Sequence, residues 1–334
     1  MTSPGSLPRR DVLALLGVSF AAAACAPDRA VMPSDIPLPP LAISLERANQ
    51  VAFLDPVTRD VIDRVGTAER PRDMHLSADG SELLVACASG RIDRIDLEDR
   101  AIRRSLALDF TPQSFVVRGD NLYVVDGDSS DLVAIDLEGN RPLWRTPVGE
   151  SAEGLADSAD GRHLFATAEA DGAVHVVAAA SGEPVRTTAI GAGPRRAVRA
   201  GDGRIWVSAG GGGAVYVIDP VTDRVDVVLP VTPEGVSPED ANPVGIAFSP
   251  DGTRALVALG RAGRVAAVDV RTLAVLRYIP VGERPWGVVV DQTGDFGYVA
   301  NGRSNDLTVI DMNSLEAITA VPVGDGPHTV LFTG

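Results

Sequence analysis

Seven copies of one segment spaced about 40 residues apart, two markers that recur in step with it, and chain ends that complete one another predict an all-β fold. The architecture is a seven-bladed β-propeller with four antiparallel strands per blade. The repeat is plainest in DGDSSDLVAID (126–136), which aligns without a gap to NGRSNDLTVID (301–311) and matches Gly127 with Gly302, Ser129 with Ser304, Asp131 with Asp306 and Asp136 with Asp311. LERANQVAFLD (45–55), ACASGRIDRID (86–96), AEADGAVHVVA (168–178), AGGGGAVYVID (209–219) and LGRAGRVAAVD (259–269) complete the set. Five of the six successive spacings are 40 to 42 residues and one is 50.

Each blade element can be justified in turn. A Pro followed two residues later by an apolar strand marks the first strand at Pro71, Pro112, Pro194, Pro243, Pro285 and Pro327, with Ala152 in that place in ESAEGLADS. A turn such as SADG (77–80, 158–161) or SPDG (249–252) leads to a second strand such as RALVAL; Gly supplies positive φ there and Asp bonds its own backbone two residues on. The repeated segment gives a hairpin and a third strand, and after its terminal Asp a second turn leads to an outer strand rich in Val, Ile and Thr, as in PVTDRVDVVLPV. GPHTVLFTG supplies only an inner strand, whereas Leu41 to Glu69 supplies strands that lack one. Pairing the two closes the ring and removes an exposed edge. A β-sandwich or a parallel β-helix would not show a four-strand period.

Composition agrees with one large domain. The chain has 334 residues, 45% hydrophobic, with 34 Gly and 24 Pro, enough apolar material for a sizeable core broken by many turns. A net charge of -15 without a visible Lys/Arg cluster argues against nucleic acid as a partner. Residues 1–26 read as an export signal, 27–40 as a Pro-rich linker and 41–334 as the propeller. Arg9-Arg10 precedes an apolar run of thirteen residues, Val12 to Ala24, too short to span a bilayer. PRRDVLALLG resembles a twin-arginine (Tat) signal, with an ordinary secretory signal as the alternative. Ala22-Ala23-Ala24-Cys25 resembles a lipobox that would make Cys25 a lipidation site, although Ala22 stands where Leu is usual; plain cleavage is the alternative. The expectation is an exported, periplasmic monomer that meets the membrane only through a lipid anchor. Cys87 then has no partner for a disulfide and reads as a buried small hydrophobe.

VGERPWGVVVDQTGDFGYVANGRSNDLTVIDMNSLEAITAVPVGDGPH resembles two successive modules of the YVTN-type (YncE-like) β-propeller family, whose blades read roughly VGxxPxG, SPDG, YVAN, VSVID and VxxIPVG. The resemblance covers 41–334; VVRGDNLYVV (116–125) departs from it by lacking the SPDG turn, and Ala152 by replacing a blade Pro. Within the family, the run from Val231 to Val290 is similar to the exported propellers associated with PQQ-dependent alcohol catabolism. That likeness implies an accessory role near a periplasmic quinoprotein alcohol dehydrogenase. It leaves the cofactor unknown, since no residue here is read as holding PQQ.

Propellers bind where loops entering the inner strands meet the hairpins between the second and third strands. The residues after each blade Pro should line that mouth: Arg72 and Asp73, Gln113 and Ser114, Glu153 and Gly154, Arg195 and Arg196, Val244 and Gly245, Trp286 and Gly287, His328 and Thr329. Arg72, Asp73, Glu153, Arg195, Arg196, Trp286 and His328 are the candidate ligand-binding set. They suit a small anionic or planar ligand, because Arg pairs carboxylates bidentately and stacks on rings. The same arginines could instead pair with Glu153 and Asp73 around a water-filled channel. VTPEGVSPEDANP (231–243) is an insertion expected at the same mouth, bringing Glu234, Glu239 and Asp240 toward the arginines. No nucleophile elbow, zincin motif or Cys pair is present, so no catalytic or metal residue is assigned. AGGGGA (209–214) precedes a strand rather than a helix and is a hairpin turn, not a phosphate loop. DGDSSD looks like the start of a calcium loop, yet its copies put Arg303 or Gly211 in place of Asp128, so no blade-wide metal site is encoded. The leading reading is a non-catalytic binding protein for a small ligand or partner protein. The resemblance also implies an alternative, a propeller enzyme of lactonase or tetrapyrrole-handling type; a pure interaction scaffold is the third possibility.

Overall fold

The computed structural model describes Met1, residues 38–191 and residues 193–334. Residues 2–37, which take in the expected export signal, Cys25 and most of the Pro-rich linker, lie outside the described residues. Among the described residues, 28 strands form seven four-stranded antiparallel sheets, six of them ordered by sequence from an inner to an outer strand and the seventh taking the last strand of the chain as its inner strand. The inner strands are Pro327–Phe332 (blade 1), Pro71–Leu76 (blade 2), Pro112–Arg118 (blade 3), Ala152–Asp157 (blade 4), Pro194–Arg199 (blade 5), Pro243–Phe248 (blade 6) and Pro285–Val290 (blade 7). Each packs beside the next and the last returns to the first, so the ring is closed.

Closure uses both ends, as the sequence predicts. Leu41–Leu45 pairs antiparallel with Pro327–Phe332, with Leu41 opposite Phe332 and Ile43 opposite Val330. Second strands such as Phe296–Asn301 and Ile205–Ala209 are buried along their whole length. Both faces of these strands are covered by neighbouring blades, which explains why they read as unbroken apolar runs rather than alternating ones. Outer strands such as Val61–Gly66 are mostly exposed. Trp206, Tyr298, Phe53, Phe115 and Phe165 are the largest fully buried side chains. Cys87 is fully buried, and its thiol is pushed up to about 12 by burial and the nearby Asp93, so it is chemically quiet.

The recurring Asp after six of the third strands has a local cause. Asp55, Asp96, Asp219 and Asp311 each accept backbone N–H bonds from residues two and three positions on, an Asx turn. The turn then ends in a left-handed residue, Arg59, Arg100, Asn140, Asp223, Leu273 or Leu315, with Gly182 serving in the fourth blade. The S-x-D-G turns are likewise wired: Ser77 Oγ donates to Asp79 Oδ1 at 2.7 Å and Ser158 Oγ to Asp160 Oδ1 at 2.6 Å. The insertion folds over Gly213 and contains one helical turn, Pro238–Ala241, capped by Ser237.

Candidate functional site

The mouth is built by a backbone irregularity common to the inner strands. Pairing with the second strand jumps from Pro71 opposite Cys87 to Met74 opposite Val85, and the same jump occurs at Ala152, Pro194, Pro243 and Pro285. Two residues per blade are thereby released from the ladder and turned toward the channel. In three blades the second of them is glycine: a Cβ on Gly154 or Gly245 would fall on the carbonyl oxygen of Arg195 or Trp286 in the next blade. Buried hydroxyls hold the released segments. Ser44 Oγ accepts from Thr329 N and donates to the Arg72 carbonyl at 2.7 Å, and Thr167 Oγ1 accepts from Gly154 N and donates to the Arg195 carbonyl at 2.7 Å. Arg72 and Arg195 are thus pinned through their own backbones.

Below the mouth the channel is crossed. Arg196 reaches from blade 5 to blade 2, where Nη2 donates to Asp73 Oδ1 at 2.9 Å, while Nη1 lies 3.3 Å from Ser114 Oγ of blade 3. Ser114 Oγ in turn donates to Asp73 Oδ2 at 2.7 Å. Burial alone would raise the Asp73 carboxyl, but Arg196 and His75 outweigh it and hold the group well below its ordinary value. The crossbar divides the channel, with one cavity at the mouth and another lined largely by Val, Ala and Leu residues toward the far end; Arg196 and Trp286 line both.

The mouth cavity has a volume of about 630 Å³. Seven arginines and three glutamates line it, in a chain whose net charge is -15. The glutamates belong to two paired groups. Glu46 accepts from Arg72 Nε at 2.9 Å and Arg70 Nη2 at 2.8 Å, and although burial opposes it, Arg72 leads the interactions that lower its carboxyl. Arg195 holds Glu153 at 3.2 Å and Glu169 at 2.9 Å, and burial pushes the Glu153 carboxyl up, with Arg195 opposing the rise and Glu169 adding to it. Blade 7 is different. The Arg284 guanidinium sits over the Trp286 ring, 5.0 Å from its centroid, and among the described residues neither Arg284 nor Arg303 has a carboxylate partner. Burial, with Arg195, Arg303 and Arg261 nearby, lowers the Arg284 pKa.

Of the predicted set, Arg72, Glu153, Arg195, Arg196, Trp286 and His328 line this cavity; Asp73 does not, being buried beneath it under Arg196. His328 packs 5.1 Å from Trp286, and burial drops its pKa to about 3, so it is neutral at physiological pH and a poor general base. Glu234, Glu239 and Asp240 are exposed and are not among the lining residues; Asp240 accepts from Ser237 Oγ at 2.8 Å within the capped turn. Only the Glu239 carbonyl approaches a mouth-side cation, lying 3.5 Å from Arg261 Nη1. Glu46, Arg47, Glu169 and Arg303 come from the hairpins between second and third strands, and Arg70 and Arg284 from the left-handed residue before the blade Pro. Their columns in the repeat alignment were the signal. In the calcium-like stretch Asp126 accepts from the N–H of Asp128 and Ser129, and Arg145 Nη1 lies 2.9 Å from Asp126 and 3.3 Å from Asp131. A guanidinium occupies the position a cation would take, and no metal-holding cluster exists among the described residues.

Comparison with known proteins agrees with this architecture. A model of the YNCE-like beta-propeller family matches residues 41–295. No curated protein matches. Among solved structures, Kuenenia stuttgartiensis hydrazine synthase is similar at a TM-score of 0.71 and 21% identity, covering 83% of this chain and 96% of that one. A functionally unknown protein from Desulfotomaculum acetoxidans DSM 771 gives 0.76 at 12% identity, covering 88% and 98%. Dihydro-heme d1 dehydrogenase NirN in complex with DHE gives 0.68 at 16% identity, covering 93% and 78%. These likenesses, all below 25% identity, speak to fold. With its seven closed four-stranded blades and a family match over most of its length, the chain belongs to the YNCE-like β-propeller family.

Proposed function

We propose that this protein is an exported, lipid-anchored propeller that binds a small ligand or a partner protein at its channel mouth without transforming it. The observation that supports the reading best is the concentration of arginine in the mouth cavity of a strongly acidic chain. Selection for solubility alone gives no reason to gather cations there. The size fits a small organic molecule. The finer placement, an accessory to periplasmic PQQ-dependent alcohol oxidation, rests on the resemblance of residues 231–290 and on the twin-arginine and lipobox patterns of the first 25 residues.

A catalytic reading has less to stand on. His328 is held neutral against Trp286, and the remaining titratable group of interest, Glu153, is tied to Arg195. The test is a thermal-shift screen of PQQ, haem and sugar lactones against the wild type and an Arg72→Ala/Arg195→Ala variant. A ligand that raises the melting temperature of the wild type alone, and is recovered unchanged, supports mouth binding. No stabilising ligand, with a propeller that only captures protein through its blade edges, would favour a scaffold instead.

A further inference from the structure

The arginines of the mouth fall into two electrostatic classes. Arg47, Arg70, Arg72, Arg195 and Arg196 are neutralised locally by Asp325, Glu46, Glu153, Glu169 and Asp73. Arg284 and Arg303, both from blade 7, have no carboxylate among the described residues. Arg284 is held by the face of Trp286, and a ring face positions a guanidinium without cancelling its charge. Arg195 Nε is buried near them with no hydrogen-bond partner. Like charges are therefore gathered, with Arg195 and Arg284 half-buried and Arg303 exposed, at a standing electrostatic cost that Glu153 offsets only in part.

Building on the mouth-binding reading above, we infer that the blade 7 side of the cavity is a site for a small multivalent oxyanion, with two or more carboxylates or phosphates on one scaffold, gripped by Arg284 and Arg303 beside Trp286. A guanidinium fork matches either group in bidentate geometry. Two cations at separate positions, one at the start of the inner strand and one on the hairpin Gly302 to Asn305, call for two anionic groups on the ligand rather than one. A cavity of about 630 Å³ crossed at its lower end by Arg196 favours a compact molecule over a protein segment. Trp286 is a positioning residue, acting through Arg284.

The probes are benzene-1,3,5-tricarboxylate, citrate, pyrophosphate and acetate, titrated calorimetrically into the wild type and into Arg284→Gln, Arg303→Gln and Trp286→Leu variants, each first checked for an unchanged melting temperature. At least one trivalent or divalent probe should bind the wild type, weaken about tenfold or more in each Arg variant, and lose affinity as salt rises. Trp286→Phe should restore binding lost in Trp286→Leu because it keeps a ring face under Arg284. Binding by the tricarboxylates alone identifies an organic acid as the ligand, and binding by pyrophosphate alone identifies a phosphate. Equal affinity in wild type and both Arg variants, or no preference over acetate, would overturn the inference. If a neutral ligand from the screen still stabilises these variants, the mouth-binding reading survives that failure; if no ligand of any kind binds, both fall.

Discussion

Replacing Arg196 by Ala tests the crossbar that spans the channel below the mouth. Asp73 is 1% exposed and keeps only Ser114, the Phe115 N–H and His75 once the guanidinium is gone. Breaking a buried pair by removing one partner costs about 3–5 kcal/mol, because the remaining charge is left without compensation. At about 2.1 cal/mol/K of unfolding entropy per residue, a propeller of roughly 300 residues shifts by about 1.6 °C per kcal/mol, so the melting temperature should fall by about 5–8 °C at neutral pH. Asp73→Asn in the same background removes the stranded charge and should recover most of the loss. The pH dependence has a definite sign. In the wild type the folded Asp73 pKa lies below its unfolded value of about 3.9, so the stabilisation is complete above that value and fades as pH falls through the folded one. Without Arg196, burial meets less opposition and the folded pKa rises, so the deficit of Arg196→Ala should be least below the wild-type folded pKa, grow as pH climbs from there toward the variant's raised pKa, and level off above it. Differential scanning calorimetry from about pH 2 to 8 measures this. A variant that melts within 2 °C of wild type at every pH, or a double variant no better than the single one, would refute a crossbar held by charge.

Three further outcomes follow from particular contacts. Gly245→Ala should be strongly destabilised, by about 2 kcal/mol or more, since the added methyl meets the Trp286 carbonyl of the next inner strand and packed cores absorb such overfilling poorly; chemical denaturation measures it, and a change under 0.5 kcal/mol would contradict the close approach. Calcium at millimolar concentration should leave the wild-type melting temperature unchanged, because Arg145 already fills the space between Asp126 and Asp131; a clear upward shift would show a cation site after all. Cys25→Ala should move the protein from the membrane to the soluble periplasmic fraction, and continued membrane partitioning on immunoblots would remove the lipid anchor from the account.

The blade register was legible in the sequence for a physical reason: the same Asx turn, S-x-D-G turn and bulged strand start recur in a fixed order, and each needs particular residues. Closure was legible because the two ends carry complementary fractions of one blade. The mouth was legible only to first order. Sequence position places Arg195 and Arg196 side by side, yet the inner-strand bulge sends one to Glu153 and Glu169 and the other across the channel to Asp73. A side chain's partner on the far side of a ring depends on three-dimensional distance, which a repeat alignment does not contain. Arg284 and Arg303 were within reach of the same alignment, since one column precedes the blade Pro and the other sits in the hairpin. That no carboxylate among the described residues pairs with them becomes visible only in three dimensions. The insertion shows the opposite error: its acidic residues read as a charge near the mouth, but they serve a helix cap and solvent.

The most direct test of a ligand-holding mouth is to purify the protein without denaturants from the cells that make it, unfold it, and analyse the released small molecules by mass spectrometry. The account predicts a compound with at least two acidic groups, in near-stoichiometric amount from the wild type and absent from an Arg284→Gln/Arg303→Gln variant. The same neutral compound from both proteins would contradict it, as would a wild type that releases nothing and gains no stability from any multivalent anion.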